Sequence, residues 1–442
     1  MLKPQMDQMV RGRQARNGGL LGIDKQNGTD APKTHQQKTE TVMKPTSLRE
    51  LETQLTFAAK SCAIIFFTSA TCPPCKGLYP IFDELAAEAA GSALFFIVDV
   101  SKSFDIGAKY NVRATPTFVT FLHGEEENRW SGFTQSTLRG NVKMLLQMAW
   151  PPHPHESLKL PALLGENNTP VTYNKIPPLA KLRMKMGRSA DDTSIQGVLQ
   201  YVAHREAEGS AEATLPDLNA FSRFLRAAPS KLLPEVMFTV VDLLRVAMVD
   251  PRFSGYYAED KDHGTIAPLF RYVNSLTDCP YSLRLVALQT ACNLFTSPLY
   301  PEHILGCSIL TTPIIQLITT SLLDVKHHNV RVAAASLSFN LAISNNQIRK
   351  AEHREVLPVG DQIELSASLL EAISVEEESP EALKGFLLAF GYLVYCSPKD
   401  GEVWDLLKTM DAQRTILSKK KFFPDEKLLD DIGNALLGKG LA

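Results

Sequence analysis

Leu283–Ser297 reads LRLVALQTACNLFTS and Val330–Ser344 reads VRVAAASLSFNLAIS. Laid over one another, Arg284 falls on Arg331, Asn293 on Asn340 and Ser297 on Ser344, an offset of 47 residues. That offset lies within the period of roughly 40–47 residues found in stacked helical repeats. A third copy, Leu383–Ser397 (LKGFLLAFGYLVYCS), keeps the basic second position as Lys384 and the closing Ser397, but has Leu393 in place of the asparagine. A fainter echo falls one period earlier, around Val236–Asp250. Such units cannot bury their apolar faces singly, so they stack into a solenoid with a continuous inner surface.

Arg284 and Asn293 are nine residues apart, about 900° of helical rotation, which puts them on opposite sides of the rod. An amide at a fixed place in each repeat can both donate to and accept from backbone. Two uses fit. Each Asn ties its own helix to a neighbouring loop, as buried polar groups require, or the amides line a groove for an extended peptide. The basic residue repeated in all three copies favours the groove, with an acidic ligand.

Upstream of the repeats, Leu199–Glu208, Leu215–Ala227 and Leu232–Met248 read as helices. Ile266–Leu276, Thr312–Asp324 and Gln362–Ile373 each precede a repeat helix, with apolar stripes such as Ile314, Leu317, Ile318 and Leu322, and a last helix follows Pro424. No Gly-rich phosphate loop, paired carboxylates or Ser/His constellation accompanies them, so this half is expected to bind rather than catalyse. Ahead of it, residues 151–178 form a proline-rich connection, expected to be a semi-rigid spacer. His153 and His155 lie in it without a fixed third ligand, so no metal or other cofactor is expected.

A different pattern occupies residues 46–150. Ala63–Thr68 and Ala93–Val100 read as buried strands flanking a helix over Gly77–Ala90, a βαβ unit. Phe104–Tyr110 reads as a short helix, Thr117–Leu122 as a strand and Gln135–Met148 as a closing helix. Cys72-Pro73-Pro74-Cys75 sits between the first strand and the helix, the setting in which CxxC is a redox pair rather than half of a zinc site. Cys72 at the helix start is placed for a stabilised thiolate, and Cys75 for resolving a mixed disulfide.

These residues resemble the thioredoxin family over roughly 47–150. CPPCK matches its active-site turn, Tyr79-Pro80-Ile81-Phe82 the helix proline, and Gly132 a late glycine. Ala114-Thr115-Pro116-Thr117 matches the loop whose proline is cis in that family and lies by the CxxC. The resemblance implies catalytic roles for Cys72 and Cys75. Two positions depart from it: Thr71 stands where the family has Trp, and Phe66 where it has a buried Asp that assists the second thiol. Slow turnover is therefore expected.

Residues 170–442 resemble the PUL domain, an armadillo-like module of ubiquitin-adaptor proteins related to phospholipase-activating protein. The matching phrases are Ala291-Cys292-Asn293-Leu294-Phe295, Asn329-Val330-Arg331 with Ala333–Leu341, and the lead-in Tyr173–Leu182. The resemblance implies that the groove takes the acidic C-terminal tail of valosin-containing protein, a hexameric AAA ATPase, bringing ubiquitylated clients within reach. Carried onto this chain, the implied contacts are Arg284, Asn293, Arg331, Asn340 and Lys384. Some fungal relatives join thioredoxin and PUL domains, and longer ones add a papain-like isopeptidase domain, for which this sequence shows no counterpart.

The expected fold is thus multidomain, an α/β thioredoxin fold followed by an all-α armadillo-like solenoid. Residues 1–45, poor in large apolar groups and carrying Arg11, Arg13 and Arg16, read as a disordered basic arm. A net charge of −2 argues against nucleic acid as a partner, and no apolar run is long enough for a membrane span. Seven cysteines, an odd number and mostly scattered, do not form a secreted disulfide framework. Cytosolic or nuclear residence is the expectation.

Overall fold

Strand β2 (Cys62–Thr68) is buried along its whole length, and its side chains alternate between two apolar layers. Ile64 and Phe66 join Phe82, Phe95, Ile97, Phe118, Leu138 and Val142 on one face of the sheet; Ala63, Ile65 and Phe67 join Leu51, Phe96, Val98, Ile106 and Val119 on the other. The structure is a computed structural model, and it describes residues 41–89, 91–132, 134–165 and 169–439. The basic part of the expected arm, with Arg11, Arg13 and Arg16, lies outside the described residues.

The sheet runs β1 (Val42–Met43), β3 (Ala93–Asp99), β2, β4 (Thr117–Leu122) and β5 (Glu125–Ser131) from edge to edge. β1 and β2 both pair with β3 in parallel; β4 pairs antiparallel with β2 and β5. The helices here are α1 (Leu48–Leu55), α2 (Pro73–Lys76), α3 (Tyr79–Glu88), α4 (Phe104–Lys109) and α5 (Gln135–Ala149). Two strands depart from the sequence reading. β1 falls inside the expected arm, and β5 is a mostly exposed edge strand, EEENRWS, whose charges hid it from a hydrophobic pattern.

Beyond α6 (Pro161–Leu164), the regular elements among the described residues are all helices: α7 (Leu179–Met186), α8 (Thr193–Glu208), α9 (Leu218–Lys231), α10 (Pro234–Ala247), α11 (Pro251–Ala258), α12 (Ile266–Ser275) and α13 (Tyr281–Leu294). Then come α14 (Tyr300–Gly306), α15 (Ser308–Leu322), α16 (His328–Glu352), α17 (Val359–Val375), α18 (Pro380–Val394), α19 (Glu402–Thr409), α20 (Ala412–Ser418) and α21 (Asp430–Lys439). α10, α13, α16 and α18 pack each against the next, and α9, α12, α15 and α17 form the second layer in the same order. One continuous core reaches from Leu160 to Leu437. The period of 47 was therefore a true repeat, and the echo at Val236–Asp250 is its earlier member, α10. No single helix among the described residues is long and apolar enough to cross a membrane.

The proline-rich connection is not a spacer. Leu160 and Leu163 are buried in the helical core, with Leu158, Val171, Tyr173 and Ile176 packed against it. Ala162 and Leu163 donate their backbone N–H groups to the Asp431 carboxylate at 2.7 and 3.1 Å. The prolines do not keep the segment free of helix, since α6 starts at Pro161, and the apolar residues between them supply enough area to dock it. Trp150 anchors its start. Its indole N–H donates to Ser92 O in the thioredoxin-like part at 2.7 Å, and its ring stacks on His353, the residue capping α16, with centroids 4.4 Å apart.

Candidate functional site

β2 delivers its chain to the CxxC. Phe67 pairs with Thr117, so the turn after β2 and the loop before β4 meet at one end of the sheet. The Thr115–Pro116 peptide bond in that loop is cis, as the resemblance implied. Cys72 and Cys75 form a disulfide of 2.06 Å. Cys72 is the N-cap of α2, and its sulfur accepts the Cys75 N–H at 3.3 Å. Cys75 is fully buried, whereas Cys72 is 6% exposed and is flanked by exposed Thr71, Pro73 and Pro74. This asymmetry gives an outer sulfur for attack and an inner one for resolution. The helix after the CxxC is broken rather than continuous: α2 ends at Lys76 and α3 begins at Tyr79, with Pro80 in its first turn, where the missing N–H costs nothing.

Behind the dithiol, Phe66 is fully buried in an aromatic cluster. Its ring stacks on Phe118 at 4.8 Å and touches Phe82 at 5.4 Å and Tyr79 at 5.5 Å, while Trp130 stacks on the far side of Phe118 at 5.1 Å. Cys75 belongs to the same apolar cluster. Among the described residues of this domain no carboxylate is buried, so nothing takes the place of the absent Asp.

Cys62, Cys292 and Cys396 do not cap a helix start as Cys72 does. Burial pushes the Cys62 thiol up to about 12 and Cys396 up to about 11, and raises Cys292 as well. After reduction, brief alkylation at pH 7 should therefore label Cys72 at least roughly tenfold faster than Cys62, Cys292 or Cys396, read by peptide mass spectrometry. Equal labelling of Cys62 would show that burial does not separate them.

The repeated amides are placed differently from the groove expectation. Asn293 and Asn340 are fully buried, and each clamps one residue of the chain's own lead-in segment. Asn340 accepts the Val171 N–H at 2.6 Å and donates to Val171 O at 2.8 Å. Asn293 accepts the Tyr173 N–H at 2.6 Å and donates to Tyr173 O at 2.9 Å, and to Arg245 O at 2.8 Å. Arg245 on α10 continues the series, donating to Tyr173 O at 2.6 Å and Lys175 O at 2.9 Å. Alternate residues 171, 173 and 175 are thus held by successive repeats. The amides do bind a peptide backbone, but it is this chain's own, so they are not an open site.

In the third repeat an apolar contact occurs instead. Leu163 lies against Gly391, where a Cβ would come within 2.6 Å of its Cδ1, and the neighbouring Leu393 is buried in the core. No amide is needed there. Arg245 was missed because α10 offsets its groove-facing residue by one place and uses a cation instead of an amide.

The basic positions face elsewhere, as their 900° separation from the amides requires. Arg284 donates to Thr320 on α15 at 3.0 Å. Arg331 pairs with buried Glu376 at 3.2 Å, so it is not available as a free cation. Lys384 is exposed. The single surface drawn through Arg284, Asn293, Arg331, Asn340 and Lys384 therefore divides in two. One part is a filled floor of Asn293 and Asn340. The other is the helix starts, which carry Arg284 on α13 and exposed Lys384 on α18; exposed Lys326 and His328 lie at the start of α16, His328 beside Glu381 at 3.6 Å.

Two such parts define a dithiol domain of thioredoxin fold built onto stacked helical repeats. A family model described as thioredoxin matches residues 43–144, and one described as PUL domain matches residues 167–435. The chain belongs to the PUL domain family and carries a thioredoxin domain ahead of that region. Thioredoxin H4 of Arabidopsis thaliana is 37% identical over 79 residues, 18% of this chain and 66% of that protein. Thioredoxin of Mycoplasma genitalium is 41% identical over 91 residues, 21% of this chain and 86% of that protein. The X-ray structure of Fasciola hepatica thioredoxin is 29% identical, covers 23% of this chain and 98% of that one, and has a TM-score of 0.23.

Proposed function

We propose that this chain is an adaptor. Its PUL helices dock on the acidic C-terminal tail of the valosin-containing AAA ATPase, and its thioredoxin domain presents a thiol–disulfide site to the ubiquitylated clients that the ATPase handles. The observation that carries this reading is the joining of the two parts: the segment between them is packed into the helical core, so the dithiol is held on the PUL helices rather than tethered loosely. Because Asn293 and Asn340 are occupied, the acidic tail is assigned to the helix starts with Arg284, Lys326, His328 and Lys384.

Reversing Arg284 and Lys384 together to Glu should weaken binding of the tail peptide to the full chain by about tenfold or more, measured by calorimetry, with no change in melting temperature. Added salt should weaken the unaltered interaction, because exposed pairs are screened over about 10 Å at 0.1 M. Arg331→Glu is a poor probe: it sets two carboxylates against each other at Glu376 and unsettles the fold. Tail binding that ignores both the double reversal and salt would remove the helix starts from the account. The Cys72–Cys75 pair, flanked by exposed Thr71, Pro73 and Pro74, favours a second reading, a thiol–disulfide oxidoreductase carried to its substrates by the PUL helices.

A further inference from the structure

In the sequence, the two linker histidines lack a third ligand; the fold provides one. Cys396 follows α18 in the left-handed region, φ 58°, and this turn brings it to His153 and His155. One donor atom from each of the three residues lies within 4.8 Å of the others. His155 is fully buried, Cys396 is buried and His153 is half-buried. The two imidazoles meet edge to face with centroids 4.3 Å apart, and Trp404 closes the far side of His155 at 5.3 Å.

Backbone holds the rings in place. The Cys396 N–H donates to His155 Nδ1 at 3.0 Å, and the His155 N–H donates to His153 Nδ1 at 3.1 Å. With Nδ1 accepting, His153 carries its proton on Nε2 and donates to Ser397 O at 3.1 Å. Glu156, the next residue after His155, brings a negative charge that acts on both His153 and Cys396. Of the nearby cations, Lys399 and Arg349 act on His153 and Lys350 and Arg349 on Cys396, Arg349 being also engaged by Glu355 and by the carbonyls of Leu393 and Tyr395.

We propose that His153, His155 and Cys396 form a site for one Zn²⁺ ion that clasps the linker to the end of α18, with water as the fourth donor. Two imidazoles and a thiolate, with water in the fourth position, are a donor set that suits tetrahedral zinc. The Ser397 carbonyl already gives His153 the outer hydrogen bond that orients a metal-bound imidazole, leaving Nδ1 for the ion. On binding, each Nδ1 exchanges a backbone N–H for the metal, and Cys396 releases its thiol proton to solvent as the S–Zn bond forms. The thiolate ligand and the nearby charge of Glu156, which acts on His153 and Cys396, together offset the charge of the ion. The clasp sits three residues beyond Trp150 and fixes the thioredoxin domain to the PUL helices.

The test uses the full chain with Cys72 and Cys75 oxidised, so that they do not compete for metal. One equivalent of Co²⁺ should produce thiolate-to-metal charge-transfer absorption, which Zn²⁺ then abolishes, and Zn²⁺ should raise the melting temperature. Cys396→Ser should remove the band. Should that variant fold poorly, His153→Gln, at a half-exposed position, still decides the matter by weakening Zn²⁺ binding at least tenfold. A wild-type chain without the band overturns the proposal. So does a band that survives Cys396→Ser, which places the ion on another cysteine, or Zn²⁺ affinity unchanged in His153→Gln.

Discussion

Replacing Arg245 by methionine should lower the stability of the helical domain by about 3–5 kcal/mol, the cost of breaking one side of a buried ion pair. The Arg245 side chain is 6% exposed and pairs with Asp242, itself 12% exposed, at 2.7 Å. It also supplies donors to Tyr173 O and Lys175 O. Methionine keeps most of the stem volume but leaves the Asp242 carboxylate buried without a cation. Lys175 O loses the arginine donor as well. Urea unfolding followed by far-UV circular dichroism reads the change on the helix-rich transition. Changing Asp242 to Leu in the same chain should recover part of the loss, because the orphaned charge is then gone. A loss under about 1 kcal/mol would mean that the lead-in segment contributes little to the fold.

The same reasoning reverses a natural expectation for the amides. An Asn that faces an outside ligand affects binding more than stability. Asn293 and Asn340 are instead internal clamps: truncating Asn340 takes the partner from the Val171 N–H and C=O, and truncating Asn293 takes it from the Tyr173 N–H, while Tyr173 O keeps Arg245, at roughly 1–3 kcal/mol per group left unsatisfied. Periodicity announced that these residues recur and that their chemistry suits a peptide backbone. It could not say whose backbone, because a segment 120 or 169 residues earlier leaves no mark on the helix it crosses.

Local pattern carried the thioredoxin part further. β2, β3 and β4 read from apolar content alone because they are central in the sheet, whereas β1 and β5 lie at its edges and have less to bury. The dithiol and the cis-proline loop were legible as motifs. What the motifs omitted was the surroundings of Phe66, since a single departure does not show what fills the space of the missing carboxylate. The fold answers with stacked rings.

That filling sets the expected chemistry of the site. Cys72, the outer of the two sulfurs and flanked by exposed Thr71, Pro73 and Pro74, should attack a disulfide and form the mixed disulfide readily, whereas resolution requires Cys75 to lose a proton where it is fully buried in an apolar cluster. Stopped-flow reduction of a model disulfide should therefore show a fast first phase and a slow second one. Phe66→Asp supplies a base at the family position and should speed the second phase by roughly tenfold or more, within the range that general-base assistance provides. It also removes the Phe66 contacts with Phe118, Phe82 and Tyr79 and buries a carboxylate, so it should cost about 3 kcal/mol or more of stability. Phe66→Asn separates the two effects. It loosens the same cluster and adds polarity without a base, so it should destabilise comparably and leave the second phase slow. Cys72→Ser should abolish both phases, and Cys75→Ser should stop the reaction at the mixed disulfide. If Phe66→Asn accelerates resolution as much as Phe66→Asp, the barrier is access to Cys75 through the packed rings rather than its proton, and the aromatic cluster is a steric gate.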